Sequence, residues 1–178
     1  MLSDLDILRA LRSGQIALDP FNADRLQPAS VDLTLGDSIR RPAQEVDSID
    51  VACVPHGHTT IEEPVDGAFL LGPGQVALGF TAEVVTIGRR HVARVEGKSS
   101  LARLWLSVHV TGGFIDPGFS GHVTLEIVNM APWSISLRPG MPICQVAFDA
   151  LDGPPTRTYE QTGRYQGQRQ ATESRYTM

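Results

Sequence analysis

A glutamate stands in the middle of an apolar run, His122-Val123-Thr124-Leu125-Glu126-Ile127-Val128-Asn129. In a strand, side chains alternate between faces, so Val123, Leu125 and Ile127 share one face while Thr124 and Glu126 share the other. A carboxylate buried in that setting needs a partner and takes a perturbed pKa, as a general acid/base requires. The competing reading is a solvent-facing glutamate on a half-exposed strand.

Two further stretches carry chemistry. In Glu96-Gly97-Lys98-Ser99-Ser100-Leu101-Ala102-Arg103, a glycine, a cation, two hydroxyls and a second cation follow one another. Backbone N–H groups at a helix start, hydroxyls and cations converge in this way on phosphate. An ordinary capped turn has the same composition, and the Walker A spacing is absent. In Thr111-Gly112-Gly113-Phe114-Ile115-Asp116-Pro117-Gly118-Phe119-Ser120-Gly121, paired glycines allow close approach of a ligand to the backbone. Phe114 or Phe119 is able to bound a flat base or sugar, and Asp116 precedes a Pro-Gly turn; a plain hairpin with a turn carboxylate fits the same residues.

Near the C-terminus, Tyr159, Arg164, Tyr165, Gln168 and Arg169 form an aromatic, amide and cation mixture able to close over a nucleotide. Zinc chemistry finds little support. Zinc deaminases of nucleobases need His-x-Glu and Pro-Cys-x-x-Cys, whereas Cys53 and Cys144 lie far apart and His56-Gly57-His58 lacks an obvious third ligand.

The elements that must position these groups read mostly as strands. Ser3-Asp4-Leu5-Asp6 resembles a capping box, and Leu5, Ile7, Leu8 and Leu11 make an apolar stripe ending before Gly14, so residues 3–13 form one short helix. Val31, Leu33 and Leu35 alternate with polar residues. Residues 69–87 read as two strands broken at Gly72-Pro73-Gly74. Val92 to Val95, Leu106 to Val110, Val123 to Val128, Ile135 to Leu137 and Ile143 to Phe148 continue the series. Many short strands with turn signals and one clear helix predict an all-β barrel or jelly-roll-like fold. Residues 41–66, with six acids against Arg41, read as a solvated excursion carrying a short strand near Ile49–Val51. The domain is expected over 1–152, with a mobile tail over 153–178.

At 178 residues and 42% hydrophobic, the chain suits one compact domain. A net charge of −5 argues against a nucleic-acid polymer as partner. No apolar run approaches a membrane span, and the first residues carry acids where a secretory signal has its apolar region. A cytoplasmic location is expected. Lys98 is the sole lysine among fifteen basic residues, which makes its retention informative, since lysine and arginine meet phosphate differently.

Taken together, Leu26-Gln27-Pro28-Ala29-Ser30-Val31-Asp32-Leu33-Thr34-Leu35-Gly36, Gly97 to Leu106, Val108 to Asn129, Arg138-Pro139-Gly140-Met141 with Gln145, and Tyr165-Gln166-Gly167-Gln168-Arg169 resemble the deoxycytidine triphosphate (dCTP) deaminase branch of the deoxyuridine triphosphatase (dUTPase) superfamily. The resemblance implies a distorted β-barrel and a homotrimer with active sites at the subunit interfaces. It implies that Glu126, Ser99 and Arg103 are catalytic, with Arg103 orienting Glu126. Lys98, Ser99, Ser100, Leu101, Ala102 and Arg103 would meet the triphosphate and reacting centre, and Asp116 the deoxyribose 3′-hydroxyl. Thr124, Leu125 and Glu126 would line the base site, and Gln145, Tyr159, Arg164 and Gln168 would complete the phosphate contacts.

The implied reaction deaminates dCTP to dUTP and ammonia in pyrimidine deoxynucleotide supply. It uses no zinc, takes Mg²⁺ through the substrate triphosphate, and has dTTP as a feedback inhibitor. One alternative is a bifunctional enzyme releasing dUMP and diphosphate, favoured by Gly113-Phe114 where dUTP-forming members tend to carry His-Arg. The other, from a different class, is an inactive nucleotide-binding regulator. The sequence departs from the family at Trp105, usually Gly, and at Gly112, commonly Ala.

Overall fold

The structure is a computed structural model that describes residues 1–176. Thr177 and Met178, the end of the expected tail, lie outside the described residues. Helix α1 (Asp4–Arg12) starts where the capping residues place it: Ser3 Oγ accepts from Asp6 N and donates to Asp6 Oδ2. Ile7 and Ala10 are buried beneath it, and Gly14 takes the left-handed conformation just beyond its end.

The rest is strand. In chain order these are β1 (Ile16–Asp19), β2 (Leu26–Gln27), β3 (Ser30–Thr34), β4 (Ile39–Pro42), β5 (Thr59–Glu62), β6 (Phe69–Leu71), β7 (Val76–Ile87) and β8 (His91–Gly97). The short helix α2 (Ser99–Ala102) is followed by β9 (Leu106–Ser107), β10 (Phe114–Ile115), β11 (Ser120–Asn129), β12 (Ile135–Leu137) and β13 (Pro142–Ala150). A last turn of helix, α3 (Tyr159–Thr162), lies in the tail.

Two larger antiparallel sheets, with a two-stranded β6–β12 ladder, enclose the core. One runs β5-β4-β7-β11-β9 with β1 added to the far end of β7; the other runs β10-β8-β13-β3-β2. A bridge between Leu35 and Thr81 and the Gly36 N–H on Phe80 O join them at a corner. Side chains of Leu33, Leu35, Leu125, Ile127, Ile143 and Phe148 fill the space between and are fully buried. Burial alternates residue by residue along β11, as expected for a strand with one face on a core. Its register against β7 shifts between His122 and Thr124, and there Thr81 Oγ1 accepts from Val123 N, replacing a ladder partner.

Two expectations change. Ile49–Val51 is not a strand; the excursion is instead closed by the β4–β5 hairpin, where Arg41 forms a two-pronged ion pair with Glu62 at 2.7 and 3.1 Å. The strand expected over Leu106 to Val110 stops at Ser107, because the amides beyond it are used elsewhere. The tail lies against the body, with Gln166, Gln168 and Glu173 hydrogen-bonded to it. No helix among the described residues is long and apolar enough to cross a membrane.

Candidate active site

Glu126 lies opposite Leu78 on β7, half-buried, on the face of β11 away from the core. The loop Val108–Gly113, between β9 and β10, wraps its carboxylate. The N–H groups of Val110, Thr111 and Gly112 donate to Oε2 at 2.8, 2.9 and 3.3 Å. This is why β9 is short: these three amides leave the sheet to bind a charge. Burial opposes ionisation of Glu126, but the three N–H donors, with His109 nearby, outweigh it, and the carboxyl lies below its ordinary value. Oε2 is saturated, while Oε1 accepts no hydrogen bond from the described residues. One oxygen fixes the group and the other is left for chemistry.

Glu126 lines a cleft of about 440 Å³. Gly112, Phe114, Asp116 and Thr124 line it from the body, and Tyr159, Tyr165, Gln168, Thr172 and Ser174 from the tail. The tail is held by specific bonds. Gln166 donates to Gly118 O and accepts from Ser120 N, and Gln168 donates to His122 O at 2.6 Å and Thr124 Oγ1 at 3.1 Å. Tyr159 meets Phe119 edge-on, and burial raises its phenol above the ordinary value. Of the residues expected at the base and sugar, Asp116, Thr124 and Glu126 are thus together. Leu125 points into the core and offers only its main chain.

A second cleft, of about 340 Å³, gathers Lys98, Ser99, Ser100 and Gln145 with Gln27, Ser30 and Asp32. Lys98 pairs with Asp32 at 2.5 Å, and Gln145 is fixed by Ser30 Oγ and Gly97 O. The two clefts have no lining residue in common. Tyr159 and Gln168, expected on phosphate, line the Glu126 cleft. Arg164 lies outside both, bonded to Arg175 O with its guanidinium over the Tyr176 ring. Ala102 and Arg103 are exposed and line neither cleft, and Leu101 packs on the core. Within one chain, then, backbone amides rather than Arg103 orient Glu126. Sequence reasoning missed the amides of Val110 and Thr111, which carry no side-chain signal. It also missed Asp32, whose signal was an acid inside an apolar strand. Among the described residues no cluster of three His, Cys, Asp or Glu side chains is placed to hold a metal ion.

A family model described as dCTP deaminase-like matches residues 1–151. The chain belongs to the dCTP deaminase-like family. A relative from Nocardioides sp., named dCTP deaminase, dUMP-forming, is 47% identical over 180 residues, covering 98% of this chain and 94% of its own. A solved dCTP deaminase from Agrobacterium tumefaciens superposes with a TM-score of 0.63 at 22% identity, over 84% of this chain and 48% of that longer one. The dUTPase of Staphylococcus bacteriophage 80alpha gives 0.51 at 13% identity, over 80% of this chain and 94% of its own. At these identities the two structures establish a shared dUTPase-like fold.

Membership gives the departures physical content. Trp105, read from the sequence as a departure at a glycine position, takes φ +62°, a left-handed conformation that glycine adopts freely and tryptophan at a cost. Gly113 is closely packed: a Cβ there would lie 3.0 Å from His109 Cε1 and 3.1 Å from Val95 O, so those neighbours would have to give by a few tenths of an ångström.

Proposed function

We propose that this chain converts dCTP and two waters to dUMP, ammonia and diphosphate in the cytoplasm. The observation that carries the chemistry is the Glu126 carboxylate, ionised and fixed through Oε2 by three backbone N–H groups beside an open cleft. Its free Oε1 takes a proton from the water that attacks C4 of cytosine, then delivers protons to N3 and to the departing ammonia. Such positioned acid/base work contributes roughly 10²–10⁴-fold. Phe114 flanks the base, and Asp116 meets the 3′-hydroxyl and helps activate the second water, which cleaves the α–β phosphate link.

For the end product, dUMP replaces the dUTP expected from sequence. Two features support it: the relative named dUMP-forming, aligned over nearly the whole chain, and the Gly113-Phe114 pair, which resembles the dUMP-forming members.

The Lys98–Gln145 cleft receives the triphosphate. Its only cation, Lys98, is already paired with Asp32, so one chain cannot balance the charge of a triphosphate. Magnesium enters as the counter-ion of the substrate, bound to phosphate oxygens. The remaining cation is Arg103 from a neighbouring copy. We propose a homotrimer in which the Lys98–Arg103 loop of one chain faces the Glu126 cleft of the next, covering the exposed Leu104, Trp105, Met130 and Trp133. dTTP, with the same sugar and triphosphate, competes for the joined site.

The test is an anion-exchange product assay on dCTP with magnesium, alongside Glu126→Ala and a light-scattering mass. Direct dUMP and diphosphate, lost in the variant, support the proposal. Accumulating dUTP returns the simple deaminase, dUTP cleavage without dCTP turnover means a dUTPase, and binding without turnover means a regulator.

A further inference from the structure

Glu173, five residues beyond Gln168, has no part in the chemistry described above. Its Oε1 accepts from Thr59 N at 2.8 Å, Thr59 Oγ1 at 2.9 Å and Arg40 Nη2 at 3.3 Å, and its Oε2 accepts from Gly57 N at 3.0 Å. Arg40 is itself held, donating through Nε to Thr59 Oγ1 at 2.7 Å. Both side chains of the ion pair are 16% exposed. An isolated surface pair contributes little, but a carboxylate with four donors, two of them backbone N–H, is a charge-assisted anchor. Burial opposes the charge, yet the Gly57 and Thr59 N–H groups, the Thr59 hydroxyl and nearby His58 bring the carboxyl down to about 2.

The sheet order gives this anchor its meaning. Glu126 on β11, Leu78 on β7 and Arg40 on β4 are cross-strand partners in one row. The tail is fastened to β11 at Gln168, through His122 O and Thr124 Oγ1, and again at β4 and β5 through Glu173. Thr172, between these two fastenings, and Ser174, just beyond the second, stand on the cleft wall with Leu78 and Glu126. Ala171, buried on the way, supplies the only apolar seat between them.

We propose that Glu173 is a positioning residue, pinning the tail as a strap across the sheet so that Thr172 and Ser174 close the Glu126 cleft over the nucleoside. This rests on the reading of that cleft as the dCTP site. The pin also orders the end of the acidic excursion, since Gly57 and Thr59 receive their partners from the tail.

The experiment compares wild type, Glu173→Gln, Glu173→Ala and Thr59→Ala on the full chain. It measures KM and kcat on dCTP, and the rate of tryptic cleavage after Arg169 and Arg175 without nucleotide. Glu173→Ala is expected to raise KM about tenfold, with kcat changed less than about twofold, and to speed cleavage by a similar factor. Glu173→Gln, which keeps an acceptor, and Thr59→Ala, which removes one donor, fall between. Unchanged KM and cleavage overturn the pin; faster cleavage at unchanged KM overturns its positioning role. A wild-type chain inactive on dCTP overturns the reading of the cleft instead, and the cleavage rates still decide whether Glu173 holds the tail.

Discussion

The Glu126 carboxylate can sit where it does because Gly112 has no side chain. A Cβ at that position would lie 2.5 Å from Glu126 Oε1 and 3.4 Å from its carboxyl carbon, while the Gly112 N–H is one of the three donors to Oε2. The same residue therefore grips one oxygen and leaves room for the other. Gly112→Ala must push the carboxylate aside or open the loop. Displacements of about 1 Å at a reacting group cost up to ~10²-fold, so kcat/KM on dCTP should fall ~10–100-fold while the chain stays folded.

The pH dependence of Glu126 follows from the same contacts. Its folded pKa lies below the ordinary value, so the base is ionised above that point and lost as pH falls through it. Alanine keeps its own N–H, but a Cβ at 112 that pushes the carboxylate off the loop weakens its bonds to the N–H donors and so raises the pKa. In Gly112→Ala the acid limb of the kcat/KM profile should therefore move to higher pH, with the basic limb unmoved. An acid limb that stays in place would mean that the amides do not set the ionisation of Glu126.

Lys98 and Asp32 make a prediction that separates folding from binding. Asp32 is buried, and its Oδ1 has no hydrogen-bond partner among the described residues, so Lys98 is its main compensation. Lys98→Ala leaves a poorly paired carboxylate and should cost ~1–3 kcal/mol in urea unfolding, besides raising KM for dCTP. Adding Asp32→Asn should recover most of the stability and none of the KM, because the cation toward the triphosphate remains absent.

Much of the fold was legible because the strands with alternating burial, β11 above all, carry their own period-two signal. Ser3 and Gly14 likewise marked the ends of α1. The short strands β1, β4 and β5 were not legible. Arg40 and Arg41 read as loop, and only pairing with Thr59–Glu62 and Leu78 makes them strand. At the site, Glu126 was legible as a carboxylate inside an apolar strand, and the structure brings it into one cleft with Thr124 and Asp116. The grip on Glu126 was not, because it is made by main-chain N–H groups of Val110, Thr111 and Gly112, which any residues but proline would supply. Glu173 was hidden differently: it is one acid in a polar tail, and its partners lie more than a hundred residues away.

Glu83 gives a stability prediction independent of the reaction. Its side chain is 3% exposed and accepts from Thr34 N at 2.8 Å, Thr34 Oγ1 at 2.8 Å and Arg25 Nη1 at 2.7 Å. It sits on β7 within the register shift that opposes His122 and Thr124, where the ladder is broken and Thr81 Oγ1 already bonds Glu83 O. Glu83→Ala would leave the Thr34 N–H without its acceptor and Arg25, 30% exposed, with only a 3.4 Å bond to Thr34 Oγ1, a loss of about 1–3 kcal/mol. Because Thr124 leaves the same shift toward the cleft, the loss should reach Glu126 as well. The unfolding midpoint in urea should drop, and kcat/KM should fall in the surviving folded fraction. A variant as stable as wild type would show that this charge cluster does not hold the two sheets together at their shared corner.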